Sequence, residues 1–437
     1  MGIKVAKFGG SSVADAIQIG KIKDIVCADQ DRRYVVVSAP GKRFDDDSKV
    51  TDLLYLCKTH IEHNLPHEQL FQVICDRFMA AKVTLGAKLD LKTEFKTIEN
   101  NMKNGASADY IASRGEYLNA KMIASYLDYD FIDAANIIVF NEKGKFKVDA
   151  TDKKIREVLK NHKTAVIPGF YGAMPGGKIK TFSRGGSDVT GALIARAMGA
   201  DVYENWTDVS GFLMADPRIV HDPKPIGTIS YKELRELSYM GASVLHEDAI
   251  YPARIANIPI NIRNTNRPQD EGTFITAKPD KFENRIITGI AGRKDFTAIT
   301  IYKSMLNNER GFVRRLASVL EDLDIPIEHM PSGIDTMSVI FTNESAADRL
   351  DEITEAFEKL LGPDHMEVSD DIALIATVGY GMNARTGVSA KLFTALAEAG
   401  VNIRMIDQGS SEMNIIVGVE NKDFDKSIKA IYKAFEK

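Results

Sequence analysis

Apolar and polar positions alternate from Ile3 to Phe8 and the alternation stops at Gly9-Gly10-Ser11-Ser12. From Val13 to Ala28 the apolar residues recur at helical spacing, so the start of the chain predicts a strand, a glycine turn and a helix. The next apolar run, Tyr34 to Val37, is short and largely β-branched, and Ser38-Ala39-Pro40-Gly41 closes it. Such a run suits a strand buried on both faces that ends in a loop, the habit of a parallel sheet. Several helical patterns fill 49–128, and Thr164 to Ile167 and Asp201 to Asn205 are short strand-like runs between helical stretches. This alternation predicts an α/β sandwich.

The rhythm changes near Asn284. Strand-like runs at Thr297 to Tyr302 and Ser338 to Phe341 flank a helical stretch, Gly311 to Leu323. The order recurs with Ile372 to Val378, a helix from Val388 to Ala399, Asn402 to Ile406 and Asn414 to Val419. The segment 310–330 parallels 386–406 in glycine position, apolar spacing and length, which predicts two related βαββαβ units by duplication. The charged stretch Lys278 to Arg285 sets the expected division, 1–283 and 284–437.

Composition narrows the function. A chain of 437 residues is long enough for about three domains. Its 56 Lys+Arg against 61 Asp+Glu, a net charge of −5, argue against the polybasic surface of a nucleic-acid binder. Cys27, Cys57 and Cys75 show no CxxC spacing, so neither a disulfide framework nor a zinc site is expected. With no apolar run of signal-peptide or membrane-span length, a cytoplasmic, reducing location without membrane partners is expected.

Four segments carry candidate chemistry. In Lys7 to Ser12 (KFGGSS), two glycines able to take positive φ could bring backbone N–H groups to an anion at a helix start, with Lys7 adding a mobile charge. Neither the GxxxxGK[ST] loop nor the GxGxxG fingerprint is present. Phe182 to Asp188 (FSRGGSD) leads into a helical run, with Ser187 and Asp188 read as caps and Arg184 beside them. After the strand Asp201 to Asn205 come Thr207, Asp208, Asp216 and Arg218, in the loop position where open α/β sheets hold ligands. The helical SRGE, Ser113 to Glu116, offers Glu116 to an ammonium group.

Together these motifs resemble those of the aspartate kinases of the amino acid kinase family, in the family's order: KFGGSS at 7–12, VVVSAPGK at 35–42, SRGE at 113–116, RGGSD at 184–188, TDV at 207–209, ADPR at 215–218 and a GAxVLH at 241–246. The resemblance covers essentially the whole chain. It implies a three-layer sandwich with a mainly parallel sheet, followed by two ferredoxin-like ACT modules, the first at about 297–368 inserted in the second at about 284–296 plus 369–437. It further implies ATP- and Mg²⁺-dependent phosphorylation of the side-chain carboxylate of L-aspartate to 4-phospho-L-aspartate, the entry to lysine, threonine and methionine synthesis.

Residue by residue, the resemblance assigns Lys7 with Gly9, Gly10 and Ser11 to the transferring phosphate, and Asp188 to orienting Lys7 or the metal. Mg²⁺ would bridge the ATP phosphates without direct side-chain ligation. Ser38, Thr51, Glu116, Arg184 and Ser187 would hold aspartate. Thr207, Asp208, Phe212, Leu213 and Arg218 would hold the nucleotide. Met305, Gly311, Phe312, Pro326 and Glu328 would form an effector pocket for lysine first and threonine second, in a homodimer or dimer of dimers joined through the ACT modules. Ala135, Leu213, Ser243 and Glu247 depart from the family pattern. Two other functions compete: a sister kinase acting on another acid, and an amino-acid-sensing regulator that has lost catalysis.

Overall fold

A computed structural model describes residues 2–183, 185–242, 245, 247–277 and 285–436. Two compact units emerge, neither contiguous in sequence: Met1–Phe212, Pro225–Tyr231 and Val244–Pro279 in the first, and Leu213–Lys224, Lys232–Ser243 and Asp280–Lys437 in the second. The expected division at 283/284 lies outside the described residues.

The first unit holds β1 (Lys4–Phe8), β2 (Arg32–Val37), β3 (Asp130–Phe131), β4 (Ala165–Pro168), β5 (Tyr171–Ala173), β6 (Ile179–Thr181), β7 (Val202–Thr207), β8 (Thr228–Ser230), β9 (Ile260–Asn264) and β10 (Thr273–Thr276). Eight of them form one sheet in the order β3-β4-β2-β1-β7-β9-β10-β8, while β5 and β6 make a separate hairpin. All neighbours in the large sheet are parallel except β9 and β10. Tyr34 to Val37 are fully buried, as a β-branched run between two helical layers must be. Phe8 pairs with Val37 on one side and Trp206 on the other, and Val37 with Pro168. The register therefore delivers the loops after β1, β2, β4 and β7 to one edge of the sheet.

Two helix starts differ from the sequence reading. Ser11–Val13 form a 3₁₀ turn, and the first α-helix, Ala16–Cys27, begins only after Asp15, whose carboxylate accepts from Gln18 N at 2.9 Å. The helix after FSRGGSD runs Gly186–Met198 from an N-cap at Gly185, so Ser187 and Asp188 sit inside its first turn and are not its caps.

The second unit contains β11 (Gly289–Tyr302), β12 (Thr336–Thr342), β13 (His365–Val378), β14 (Met405–Asp407) and β15 (Asn414–Glu420), in one sheet ordered β12-β11-β13-β15-β14. The runs read from sequence at 297–302 and 372–378 are each about half of a 14-residue strand. These two long strands pair with one another along both halves, with register shifts between Arg293 and Ala298. Helices Phe312–Asp322 and Val388–Glu398 both start from a left-handed glycine, Gly311 at φ 76° and Gly387 at φ 86°. Met214 N donates to Lys224 O at 2.9 Å and Ile290 N to Met214 O at 2.7 Å, which ties 213–224 to the long strand β11. No helix among the described residues is long and apolar enough to cross a membrane.

Candidate active site

Lys7 lies one residue before the end of β1, and its Nζ reaches Asp188 Oδ1 at 2.5 Å, with both side chains largely buried. Asp188 is presented by the first turn of helix Gly186–Met198, where a carboxylate is favoured by the helix dipole. Asn205, on β7 beside Lys7 in the sheet, donates to the same oxygen at 2.9 Å. A charge pair removed from water holds its geometry only when further hydrogen bonds satisfy it, and Asn205 supplies one.

The glycine turn works differently from the sequence reading. Neither Gly9 nor Gly10 has positive φ; Gly10 is right-handed at φ −56°. What the turn requires is absence of a side chain, because a Cβ on Gly41 would lie 2.7 Å from Gly10 C. The loops after β1 and β2 cross there, and Gly41 N donates to Gly10 O at 2.9 Å. Gly9 N donates to Trp206 O at 3.0 Å. Gly10 N and Ser11 N have no partner among the described residues, and with Lys7 they leave an anion cradle at the sheet edge.

A second cluster gathers beside it. Ser38 follows β2, and its carbonyl accepts from Asn119 Nδ2 at 2.7 Å. Thr51 is in the first turn of helix Val50–Glu62, and Glu116 is buried in helix Ala108–Leu127. Within SRGE the two charged residues part company: Arg114 stacks over Tyr110 and Tyr117, each 4.4 Å from the ring centre, while Glu116 Oε2 is buried without a partner among the described residues. Burial pushes the Glu116 carboxyl up to about 8, against the pull of the Ala39 backbone N–H. A lone buried carboxyl of this kind is a receptor for a cation donor such as an ammonium group. Ser187 meets the loop after β4, where a Cβ on Gly169 would lie 2.5 Å from its Oγ. Arg184 and Ser243 lie outside the described residues.

The remaining assignments divide. Thr207 closes β7 and donates to Asp208 Oδ1 at 3.1 Å, with Asp208 exposed to solvent. Phe212 is 3% exposed, with its N–H on Thr273 Oγ1 at 2.8 Å. In the second unit Leu213 is partly exposed, and Arg218 is paired with Asp216 two residues away. Of the effector residues, Met305 is 66% exposed, Gly311 caps its helix, and Pro326 is exposed. Phe312 packs into the core with Leu316 and Phe357. Glu328 keeps a buried Oε2 without a partner, and partial burial together with its carboxylate pushes the Tyr239 phenol up to about 12.

Sequence reasoning missed Asn205 and the Gly169-Phe170 turn. Asn205 follows Glu204 at the end of a strand-like run, where it reads as a polar interruption. Phe170 carries φ 81°, a strained value for a bulky residue at a functional edge; the Pro168-Gly169 step after a strand was its only signal.

Comparison with known proteins fits this geometry. The amino acid kinase family pattern matches residues 2–264, and an ACT domain pattern matches 375–435. Aspartokinase 3 of Bacillus subtilis is 38% identical, with 99% of this chain and 98% of the relative aligned. The chain belongs to the aspartokinases of the amino acid kinase family. The crystal structure of Clostridium acetobutylicum aspartate kinase, described as an allosteric enzyme, superposes with a TM-score of 0.93 at 51% identity, covering 100% of both chains. Escherichia coli aspartokinase III, 25% identical and covered fully in both chains, superposes with TM-scores of 0.72 in complex with aspartate and ADP and 0.74 in complex with lysine and aspartate.

Proposed function

We propose that this chain transfers the γ-phosphoryl group of ATP to the side-chain carboxylate of L-aspartate, giving 4-phospho-L-aspartate and ADP. The observation that carries the reading is an anion cradle, Lys7 on β1 with the N–H groups of Gly10 and Ser11, beside a buried carboxyl receptor, Glu116, on the helix that packs against the loop after β2. A carboxylate is ionised at neutral pH, so the acceptor needs no strong base; positioning and charge neutralisation dominate. A carboxylate oxygen attacks the γ-phosphorus, a P–O bond forms as the bond to the β-phosphate oxygen breaks, and ADP departs with that electron pair. Lys7 follows the charge that develops on the transferring group, held in line by Asp188 and Asn205. Glu116 takes the substrate ammonium group, with Ser38, Thr51, Ser187 and Arg184 completing the aspartate contacts. Thr207 and Asp208 serve the nucleotide. Mg²⁺, when bound, would neutralise the ATP phosphates, with the Asp188 carboxylate beside the cradle orienting it without direct ligation.

The complexes of the Escherichia coli relative support aspartate and nucleotide as substrates and lysine as the effector. The pathway reading is the branch toward lysine, threonine and methionine, in the cytoplasm, with lysine closing a feedback loop through the tail. The two modules there would be tandem ACT units, the first inserted in the second, that join subunits in a dimer or dimer of dimers.

Trapping the product with hydroxylamine tests the reading. Aspartyl hydroxamate formed only with ATP and aspartate supports it; turnover only with another acid replaces it with the sister-kinase reading; lysine binding without any turnover replaces it with the sensor reading. For the effector, Glu328→Ala should abolish most lysine inhibition while sparing kcat, and unchanged inhibition removes Glu328 from that role.

A further inference from the structure

Helix Glu68–Leu85 contributes nothing to the site described above, yet Arg77 on it is 8% exposed among Phe71, Ile74 and Phe78. An arginine there is costly to bury, so its partners indicate what it is for. Its Nη1 donates to Ser48 O at 2.9 Å, and its Nη2 donates to Ala14 O at 3.0 Å and, by a shorter contact, to Gly41 O. Asp47 Oδ2 stands 3.4 Å from Nη1 and is held from the other side by Arg43 at 2.7 Å. Three main-chain carbonyls on two loops thus converge on one planar fork.

Those two loops carry the two halves of the reaction. Ala14 immediately follows the turn that bears the anion cradle. Gly41 and Ser48 lie inside the loop that begins at Ser38 and leads into the helix turn bearing Thr51, and Val50 N closes its neck on Pro40 O at 3.1 Å. The Gly41 residue is held from both sides, its N–H on Gly10 O and its carbonyl on Arg77. A lysine could not reproduce this, since one ammonium point charge cannot span three carbonyls as a rigid fork does.

We propose that Arg77 is a positioning residue for phosphoryl transfer: it fixes the register of the Ser38–Thr51 loop against the Gly9–Ser12 turn and touches neither substrate. This rests on the assignment of those loops to aspartate and phosphate. Displacement of reacting groups by about 1 Å is enough to cost on the order of 10²-fold in rate, so the loss belongs in kcat and in the KM for aspartate, whereas the nucleotide contacts at Thr207 and Asp208 are left intact.

Arg77→Lys and Arg77→Ala are compared with the wild-type chain in the hydroxamate assay, with KM for each substrate and kcat measured separately and the folded fraction followed by circular dichroism. Wild-type turnover with aspartate tests the functional reading; the ratio of variant to wild type tests Arg77. For both variants kcat per folded molecule should fall on the order of 10²-fold and the KM for aspartate should rise, with the KM for ATP within about threefold. Free guanidinium at a non-denaturing concentration should restore part of the kcat of Arg77→Ala and leave Arg77→Lys unchanged. The proposal is overturned if kcat per folded molecule is retained in Arg77→Lys, if both KM values rise together while kcat stays, or if the only defect is a lower folded fraction.

Discussion

The two ends of the site are built on opposite plans. At one end Lys7, Asp188, Asn205 and Glu116 are buried or nearly so, the first three locked by ion pairing and hydrogen bonds and Glu116 with one oxygen left unpartnered among the described residues. At the other end Thr207 and Asp208 sit at the mouth of β7, with Asp208 in solvent. Electrostatic groups act most strongly where water is excluded and their orientation is fixed beforehand, so under the proposed function the dry end stabilises bond making. Under the same proposal the wet end recognises nucleotide and contributes affinity shared equally by ground and transition states.

Substitutions should separate the two ends. Replacing Lys7 by Met removes the only cation of the cradle among the described residues, and kcat should fall on the order of 10³-fold with the KM for ATP little changed; steady-state kinetics read this directly. Glu116→Gln should raise the KM for aspartate on the order of 10-fold to 100-fold, the worth of a hydrogen bond to a charged group. The same residue predicts a pH effect of definite sign. Its folded-state value of about 8 lies above the ordinary 4.5, so the protonated carboxyl stabilises the ligand-free fold; that stability is complete below the ordinary value and is lost as pH rises through about 8. The melting temperature of the wild-type chain should therefore drop relative to Glu116→Gln between about pH 5 and about pH 9. An ammonium ligand keeps Glu116 ionised, so aspartate binding near neutral pH should expel roughly one proton, measurable by titration calorimetry in buffers of different ionisation heat. At the wet end, Thr207→Val should raise the KM for ATP about twofold to tenfold with kcat unchanged. The smallest effect is expected at Arg218→Ala, because an exposed arginine already paired with Asp216 contributes little; kcat and both KM values should stay within about twofold.

Much of the dry end could be read from the sequence because its elements are short-range signals. A β-branched run, a glycine turn and a helix start fix where β1, β2 and their loops fall, and the order of motifs named the family. What escaped notice depends on long-range packing. The freedom of Gly10 and Gly41 to touch is set by two loops brought together by the sheet register, and no local pattern at KFGGSS distinguishes that from a positive-φ turn. Asn205 and Arg77 read as a polar interruption and a helix charge until the partners, 17 and 29 to 63 residues away, are in place. In the tail the outer half of β13, His365 to Asp371, is mostly exposed and polar, so it gave no apolar signal and the strand looked half its length.

That long pair of strands has a mechanical consequence. Because β11 and β13 each run through both halves of the tail without an intervening loop, the halves share one backbone ladder, stepped at the register shifts between Arg293 and Ala298. A twist imposed where helix Phe312–Asp322 packs on Ile299 and Ile301 has no loop to absorb it and is taken up at those shifts, before the half of the strand where Phe424 lies against Gly292.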